Sequence, residues 1–170
     1  MMSEKHSAIT ALYETKVKDL FESTNAKPSY VEKTDSIEQV FLLLGKQNHV
    51  WVVDDTISLH VLGVITESDT LQLFAPAYTP LQSFNKPTLQ SFQYGLETTA
   101  EEIMSKRPII TDRNEKIIDV ITKMKQHKIK QLPVVDENER LIGEVSLSRL
   151  IQEYSKRQAE MTKLKKTEIS

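Results

Sequence analysis

Gly63-Val64-Ile65-Thr66-Glu67-Ser68-Asp69-Thr70-Leu71 decides how this chain is read, because its pattern returns 80 residues later as Gly143-Glu144-Val145-Ser146-Leu147-Ser148-Arg149-Leu150-Ile151. A repeat must be found first, since missing it misplaces the whole fold. The same offset holds upstream. Ile37, Val40, Phe41 and Leu44 stand at i, i+3, i+4 and i+7, and so do Ile117, Val120, Ile121 and Met124. Each set is one apolar face of an amphipathic helix. Asp35 with Glu38 opens the first helix and Asn114 the second, and Gly45 is placed to end the first in a left-handed cap. A β-branched run follows each helix: Val50-Trp51-Val52-Val53 before Asp54-Asp55, and Leu132-Pro133-Val134-Val135 before Asp136-Glu137.

The remaining elements complete the pattern. Opening strands are predicted over Pro28–Val31 and Pro108–Thr111. Strands through the glycine motif are predicted over Leu59–Thr66 and Arg140–Ser146, with Gly63 and Gly143 marking turns. Closing helices are predicted over Ser68–Phe74 and from Leu147 to about Lys156. The fold class is therefore α/β (α+β), with two small β-α-β-β-α units. A unit of about 60 residues buries only about 60% of its surface, so two such units are expected to pack together.

Composition bounds the function. The chain has 170 residues, 22 Lys and Arg against 24 Asp and Glu, 4 Gly and no Cys. Without cysteine there is no disulfide, thiol nucleophile or thiolate metal site. No Gly-rich phosphate loop of the GxxxxGK[ST] type is present. A net charge of −2 gives no general attraction to nucleic acid or anionic membrane. No apolar run approaches a membrane span, and the first residues lack the apolar region of a signal peptide. His6, His49, His60 and His127 show no metal spacing, and no acid–base or nucleophilic constellation is visible. No metal, no enzymatic role and a cytoplasmic location are expected.

Two motifs carry a resemblance to a known family. Gly63-Val64-Ile65-Thr66-Glu67-Ser68-Asp69 is close to G-h-h-[ST]-x-x-[DN], where h is apolar. Lys128-Ile129-Lys130-Gln131-Leu132-Pro133-Val134-Val135-Asp136 is close to an HxLPVVD strand. The leaders Val17-Lys18-Asp19-Leu20-Phe21 and Ala100-Glu101-Glu102-Ile103-Met104 fit as well. Over about residues 16 to 156 the chain resembles a pair of CBS (cystathionine-β-synthase) domains, the Bateman module, in a stand-alone protein. The implied organisation is an N-terminal arm (1–16), CBS domain 1 (17–74), a Pro- and aromatic-rich linker (75–99), CBS domain 2 (100–156) and a basic tail (157–170), packed as a pseudo-two-fold pair.

The resemblance implies a regulatory module that senses AMP, ADP, ATP or S-adenosylmethionine in the cleft between the domains and signals to a partner protein. That ligand is regulatory; no cofactor is implied. Thr66 and Asp69 would hold the ribose, since a carboxylate accepts from both ribose hydroxyls and a neighbouring hydroxyl can donate or accept. Val64 and Ile65 would lie beside them. Ile109 and Ile110 would line the base, Lys130 and Gln131 would lie near ribose or phosphate, and Ser148 and Arg149 would be nearby. The same Thr66–Asp69 spacing is also a capping box, which merely starts a helix, and both readings stand.

In the second copy Ser146 can replace the threonine, but Arg149 occupies the aspartate position and arginine cannot accept a hydrogen bond. That site is expected to be degenerate, with Ser29, Tyr30, Asn48 and His49 in the matching places. Trp51 is read as packing and Asp54-Asp55 as a turn.

The linker aromatics Tyr78, Phe84, Phe92 and Tyr94 suggest a segment that wraps over the core or acts as a flap. Ile9, Leu12, Tyr13, Val17, Leu20 and Phe21 form a helical stripe suited to docking on the pair or on a partner subunit. CBS pairs commonly dimerise through their helices, so a homodimer is implied. Two alternatives remain: a structural or protein-interaction module without ligand, and a nucleic-acid-associated accessory protein using Lys156, Arg157, Lys163, Lys165 and Lys166, although nucleic acid is the less favoured partner.

Overall fold

The structure, a computed structural model, describes residues 2–21, 28–74 and 98–168. In chain order the elements are α1 (Met2–Glu14), α2 (Val17–Phe21), β1 (Tyr30–Glu32), α3 (Ile37–Leu44), β2 (His49–Val53), β3 (Val61–Thr66), a 3-10 turn (Glu67–Thr70) and α4 (Leu71–Phe74). After these come α5 (Ala100–Ile103), β4 (Ser105–Lys106), β5 (Thr111–Asp112), α6 (Ile117–His127), β6 (Gln131–Val135), β7 (Leu141–Ser146) and α7 (Leu147–Glu168).

Two compact units emerge, and they cut across the sequence repeat. One comprises Pro28–Pro108 and Glu139–Leu141; the other comprises Met1–Lys27, Ile109–Asn138 and Ile142–Ser170. In the first unit, β1-β2-β3-β4 form one sheet, with β1 parallel to β2 and the other pairs antiparallel. The register lines up Tyr30, Trp51, Val64 and Ser105 in one row, and Val31, Val52, Gly63 and Lys106 in the next. The predicted face of α3 (Ile37, Val40, Leu44) is buried against Val31, Val50, Val52 and Ile65. Ala100 and Ile103, from the leader that opens the second repeat, complete this core. Each Val, Leu or Ile side chain among these contributes about 1.5–3 kcal/mol when fully buried.

The second unit has a sheet ordered β5-β6-β7, with β5 parallel to β6. Ile117, Val120 and Met124 of α6 pack with Leu132, Val134, Val145 and Leu150. Leu12 of α1 and, from the leader that opens the first repeat, Val17 and Leu20 complete this core. Main-chain bonds from Val17 to Glu115 and from Lys18 to Arg113 fix the leader, and Arg157 donates to the Thr15 hydroxyl at 2.8 Å.

Several local expectations change. Gly45 has φ −64, an ordinary right-handed conformation, so it provides no left-handed cap. The left-handed cap belongs to the other copy, where Lys128 (φ 55) ends α6 and its N–H bonds the Met124 carbonyl. Ser36 and Lys116, not Asp35 and Asn114, occupy the N-cap positions. Asp35 instead accepts from the Glu32 N–H at 2.8 Å and holds the preceding turn.

The opening strands begin later than predicted, at Tyr30 and Thr111, because the prolines before them lack a donor for the ladder. The stretch before Leu71 is 3-10 rather than α. Instead of ending near Lys156, α7 runs on to Glu168, so most of the supposed tail is helix. The linker aromatics lie outside the described residues.

Gly63 is not a turn residue. It sits within β3, and a Cβ there would fall 2.6 Å from Met104 Sδ and 2.7 Å from the Ser105 carbonyl oxygen. Glycine is required because β4 passes too close for any side chain. Trp51 is 2% exposed and packs with Val53 and Leu141, as expected of a core residue.

Candidate functional site

The end of β3 and the turn after it build the site. Thr66 is extended (φ −112, ψ 168), and the chain then closes into the 3-10 turn. Asp69 Oδ2 accepts from the Thr66 backbone N–H at 2.7 Å and from its hydroxyl at 2.8 Å. The Asp69 N–H in turn bonds the Thr66 side chain, which completes the predicted capping box. The other oxygen, Oδ1, takes only a long 3.4 Å contact from the Ser105 hydroxyl among the described residues. One carboxylate oxygen thus holds the turn while the other keeps its capacity to accept.

Ser105 escaped the sequence reading. It lies 36 positions from Asp69 and reaches it because β4 pairs with β3, opposing Val64 to Ser105. A two-residue strand has no periodicity to detect. The nearest signal is Gly63, whose missing side chain lets β4 approach.

The other first-unit candidates lie on the same sheet. Val64 is half-buried. Ile65 is 0% exposed and its side chain belongs to the core, which leaves only its main chain for a ligand. His49 pairs with Thr66 across the strands, is buried, meets the Trp51 ring edge-on at 5.2 Å and bonds Asn48 Oδ1 through Nδ1 at 2.8 Å. The Ser29 carbonyl accepts from the Trp51 N–H, and Tyr30 is half-exposed. Of the residues allotted to the degenerate site, Tyr30 and His49 therefore share a sheet with Thr66, Ser29 and Asn48 immediately precede its strands, and Ser146 lies in the other sheet.

In the second unit, Ser146, Ser148, Arg149 and Lys130 converge on the start of α7. The Ser146 hydroxyl accepts from the Arg149 N–H at 3.2 Å and lies 2.9 Å from the Ser148 hydroxyl. The Lys130 carbonyl accepts from the Leu147 N–H at 2.7 Å. The serine thus caps its helix as Thr66 does, without a carboxylate to answer it. Gln131 opens β6 half-buried. Ile109 packs on the core and Ile110 is half-exposed. The Ile110 carbonyl accepts from Lys123 Nζ at 3.0 Å, and the same ammonium pairs with Glu115 at 2.7 Å. Among the described residues no group of three or more His, Asp or Glu side chains could hold a metal ion. No helix among them is long and apolar enough to cross a membrane.

A sequence model of the CBS domain matches residues 17–75 and again residues 100–156. The chain belongs to the CBS-domain family. Its solved structural neighbours are CBS pairs. Two crystal structures of the CBS pair of protein MJ0100, in complex with 5′-methylthioadenosine and S-adenosyl-L-methionine, are 24% and 26% identical, with TM-scores of 0.62 and 0.60. They cover 84% and 81% of this chain, and 98% of that chain in both cases. The CBS domain of a membrane protein from Sphaerobacter thermophilus is 20% identical, with TM-score 0.68 over 89% of this chain and 94% of its own. Protein MJ1225 from Methanocaldococcus jannaschii, described as a putative archaeal homolog of g-AMPK, is 19% identical, with TM-score 0.67 over 81% of this chain and 49% of its own.

Among curated relatives, homoserine O-acetyltransferase of Methanosphaera stadtmanae is 26% identical over 85% of this chain and 25% of its own length. Arabinose 5-phosphate isomerase KdsD of Francisella tularensis is 27% identical over 80% and 36%. The chain spans about a quarter to a third of the curated relatives it matches.

Proposed function

We propose that this CBS protein is a regulatory module that binds an adenosine-containing ligand, with Thr66 and Asp69 holding the ribose, and signals its occupancy to a partner protein. The observation that carries this is the division of labour within the Asp69 carboxylate. Oδ2 is committed to Thr66, while Oδ1 has one long contact among the described residues and can accept from a ribose hydroxyl. Ser105 lies within reach to donate or accept beside it. The adenosine compounds bound by the MJ0100 pair support the ligand class. In the second copy Arg149 supplies no acceptor, so ribose binding is assigned to the Thr66 half-site alone.

Thermal unfolding tests the proposal. A ligand at 100 times its dissociation constant stabilises by about 2.7 kcal/mol. AMP, ATP, S-adenosylmethionine or 5′-methylthioadenosine should raise the melting temperature of the wild type. Asp69→Ala, which removes both carboxylate oxygens, should lose that response. A panel that moves neither protein defeats the sensor reading and leaves the structural-module alternative.

Self-association belongs to the same proposal. Leu147 and Ile151, one helical turn apart on α7, are 38% and 57% exposed. Sedimentation equilibrium should report a dimer that Ile151→Glu converts to monomer.

A further inference from the structure

We propose that Met104 is an oxidation-sensitive latch beside the Thr66–Asp69 site: conversion of its thioether to the sulfoxide lifts β4 from β3 and withdraws Ser105 from Asp69. The effect on a ligand rests on the ribose assignment above; the effect on β4 does not. Met104 ends α5 and leads directly into β4. Its Sδ and Cγ lie 2.6 and 2.8 Å from the point where a Gly63 Cβ would stand. The thioether therefore occupies the side-chain position that Gly63 leaves empty, three residues before Thr66. It fits there as bare sulfur, already against the main chain of β3.

The position is both reachable and weakly held. Met104 is half-buried at the margin of the first unit's core, and Ser105, Lys106 and Arg107 after it are exposed. β4 stands at one end of its sheet, and its register with β3 comprises two pairs, Gly63 to Lys106 and Val64 to Ser105. Segments with so few pairs and so much exposed backbone open most readily. Met124, by contrast, is 5% exposed within the second unit's core, and Met161 is half-buried on α7 of that unit. The chain has no Cys, so no thiol of its own competes for an oxidant.

Hydrogen peroxide supplies the chemistry. A sulfur lone pair attacks one peroxide oxygen, the O–O bond breaks and the S–O bond forms. The second oxygen takes the proton of the transferred one and leaves as water. Sulfur is oxidised by two electrons and the peroxide is reduced by the same two. The product is polar, and its oxygen needs a hydrogen-bond donor. A sulfoxide cannot keep the Gly63 position as a dry apolar contact, and the two-residue strand that follows is the least-held element beside it. Ser105 supplies the one printed-length contact to Asp69 Oδ1 among the described residues, at 3.4 Å, so the acceptor side of the site changes with β4.

The test is limited treatment of the full chain with hydrogen peroxide, then peptide mass mapping, hydrogen exchange and AMP titration once the peroxide is removed. Met104 should gain one oxygen at doses that leave Met124 intact. The Ser105 and Lys106 amides should then exchange about tenfold faster while those of α3 stay protected, and AMP affinity should fall about tenfold, the scale of one lost hydrogen-bonding group. Methionine sulfoxide reductase should restore both. Met104→Leu should abolish the response to peroxide and Met161→Leu should preserve it. Met104→Gln should show the fast β4 exchange without any oxidant.

Met104 left reduced at doses that oxidise Met161 overturns the latch. So does a Met104 sulfoxide whose β4 amides stay as protected as before, and so does loss of α3 protection together with β4, which is general damage to the unit. Fast β4 exchange with AMP affinity unchanged overturns the link to the site. An unoxidised chain that binds neither AMP nor S-adenosylmethionine counts against the ribose assignment, while the exchange rates still decide the latch.

Discussion

At Lys128 a long side chain sits on left-handed backbone, φ 55 and ψ 37, at the end of α6. For a non-glycine residue that conformation costs about 1–2 kcal/mol. Lys128 is exposed, so its side chain contributes little in return. Lys128→Gly should therefore raise stability by about 0.5–1 kcal/mol, seen as a higher midpoint in urea with an unchanged slope. The sequence hid this site because lysine gives no sign of a left-handed position.

The Asp54–His60 loop is the opposite case: its aspartates predicted a turn and form one. Burial alone would push the Asp54 carboxyl up, but hydrogen bonds from Ser58, from the Asp55 and His60 N–H groups and from the His60 ring outweigh it and hold it low. The Ser58 N–H and hydroxyl and the Ile57 N–H do the same for Asp55. A carboxyl depressed in the folded state stabilises above its unfolded value and loses that effect as pH falls through the folded one. The Ile57 and Ser58 amide resonances should hold steady from pH 8 to pH 5 and shift together only below about pH 4. A shift of these amides near neutrality would contradict this origin of the turn.

Among the elements, β4 is the least conspicuous and the most consequential for the site. Its two residues are held against Gly63 and Val64, and the close main-chain approach leaves no room for a methyl group. Because the obstacle includes the Ser105 carbonyl, it cannot simply rotate away. Gly63→Ala should cost about 1–3 kcal/mol, the range of an overpacked interior. The Ser105 and Lys106 amides should exchange faster while those of α3 stay protected. The helix faces and the β2 and β6 runs were legible because periodicity is a property of consecutive residues. The Thr66–Asp69 capping box was legible for the same reason, its partners being three residues apart. Ser105 was not, because only the strand pairing brings it 36 positions back to Asp69.

Across the whole molecule, each repeat's core is closed by the leader of the other repeat. The apolar stripe of the N-terminal helices was visible in the sequence, but amphipathicity shows that a face is buried and not what covers it. Removing residues 1–21 strips Leu12, Val17 and Leu20 from a core built on α6. At about 1.5–3 kcal/mol each, the loss approaches the entire stability of an ordinary domain. Hydrogen exchange of the truncated chain should show α6 unprotected and α3 much less affected. Deprotection of α3 alone would mean that the leader serves the first repeat instead.

The bond from Arg157 to Thr15 joins residues 142 positions apart. A nascent chain therefore holds α1 and α2 without their core until α6 to α7 have followed, and such long-range closure slows folding. Heredity is constrained in the same way. Recombination that transplants one repeat as a cassette delivers two unfinished interiors, so the interleaved pair is the smallest piece that can be inherited intact.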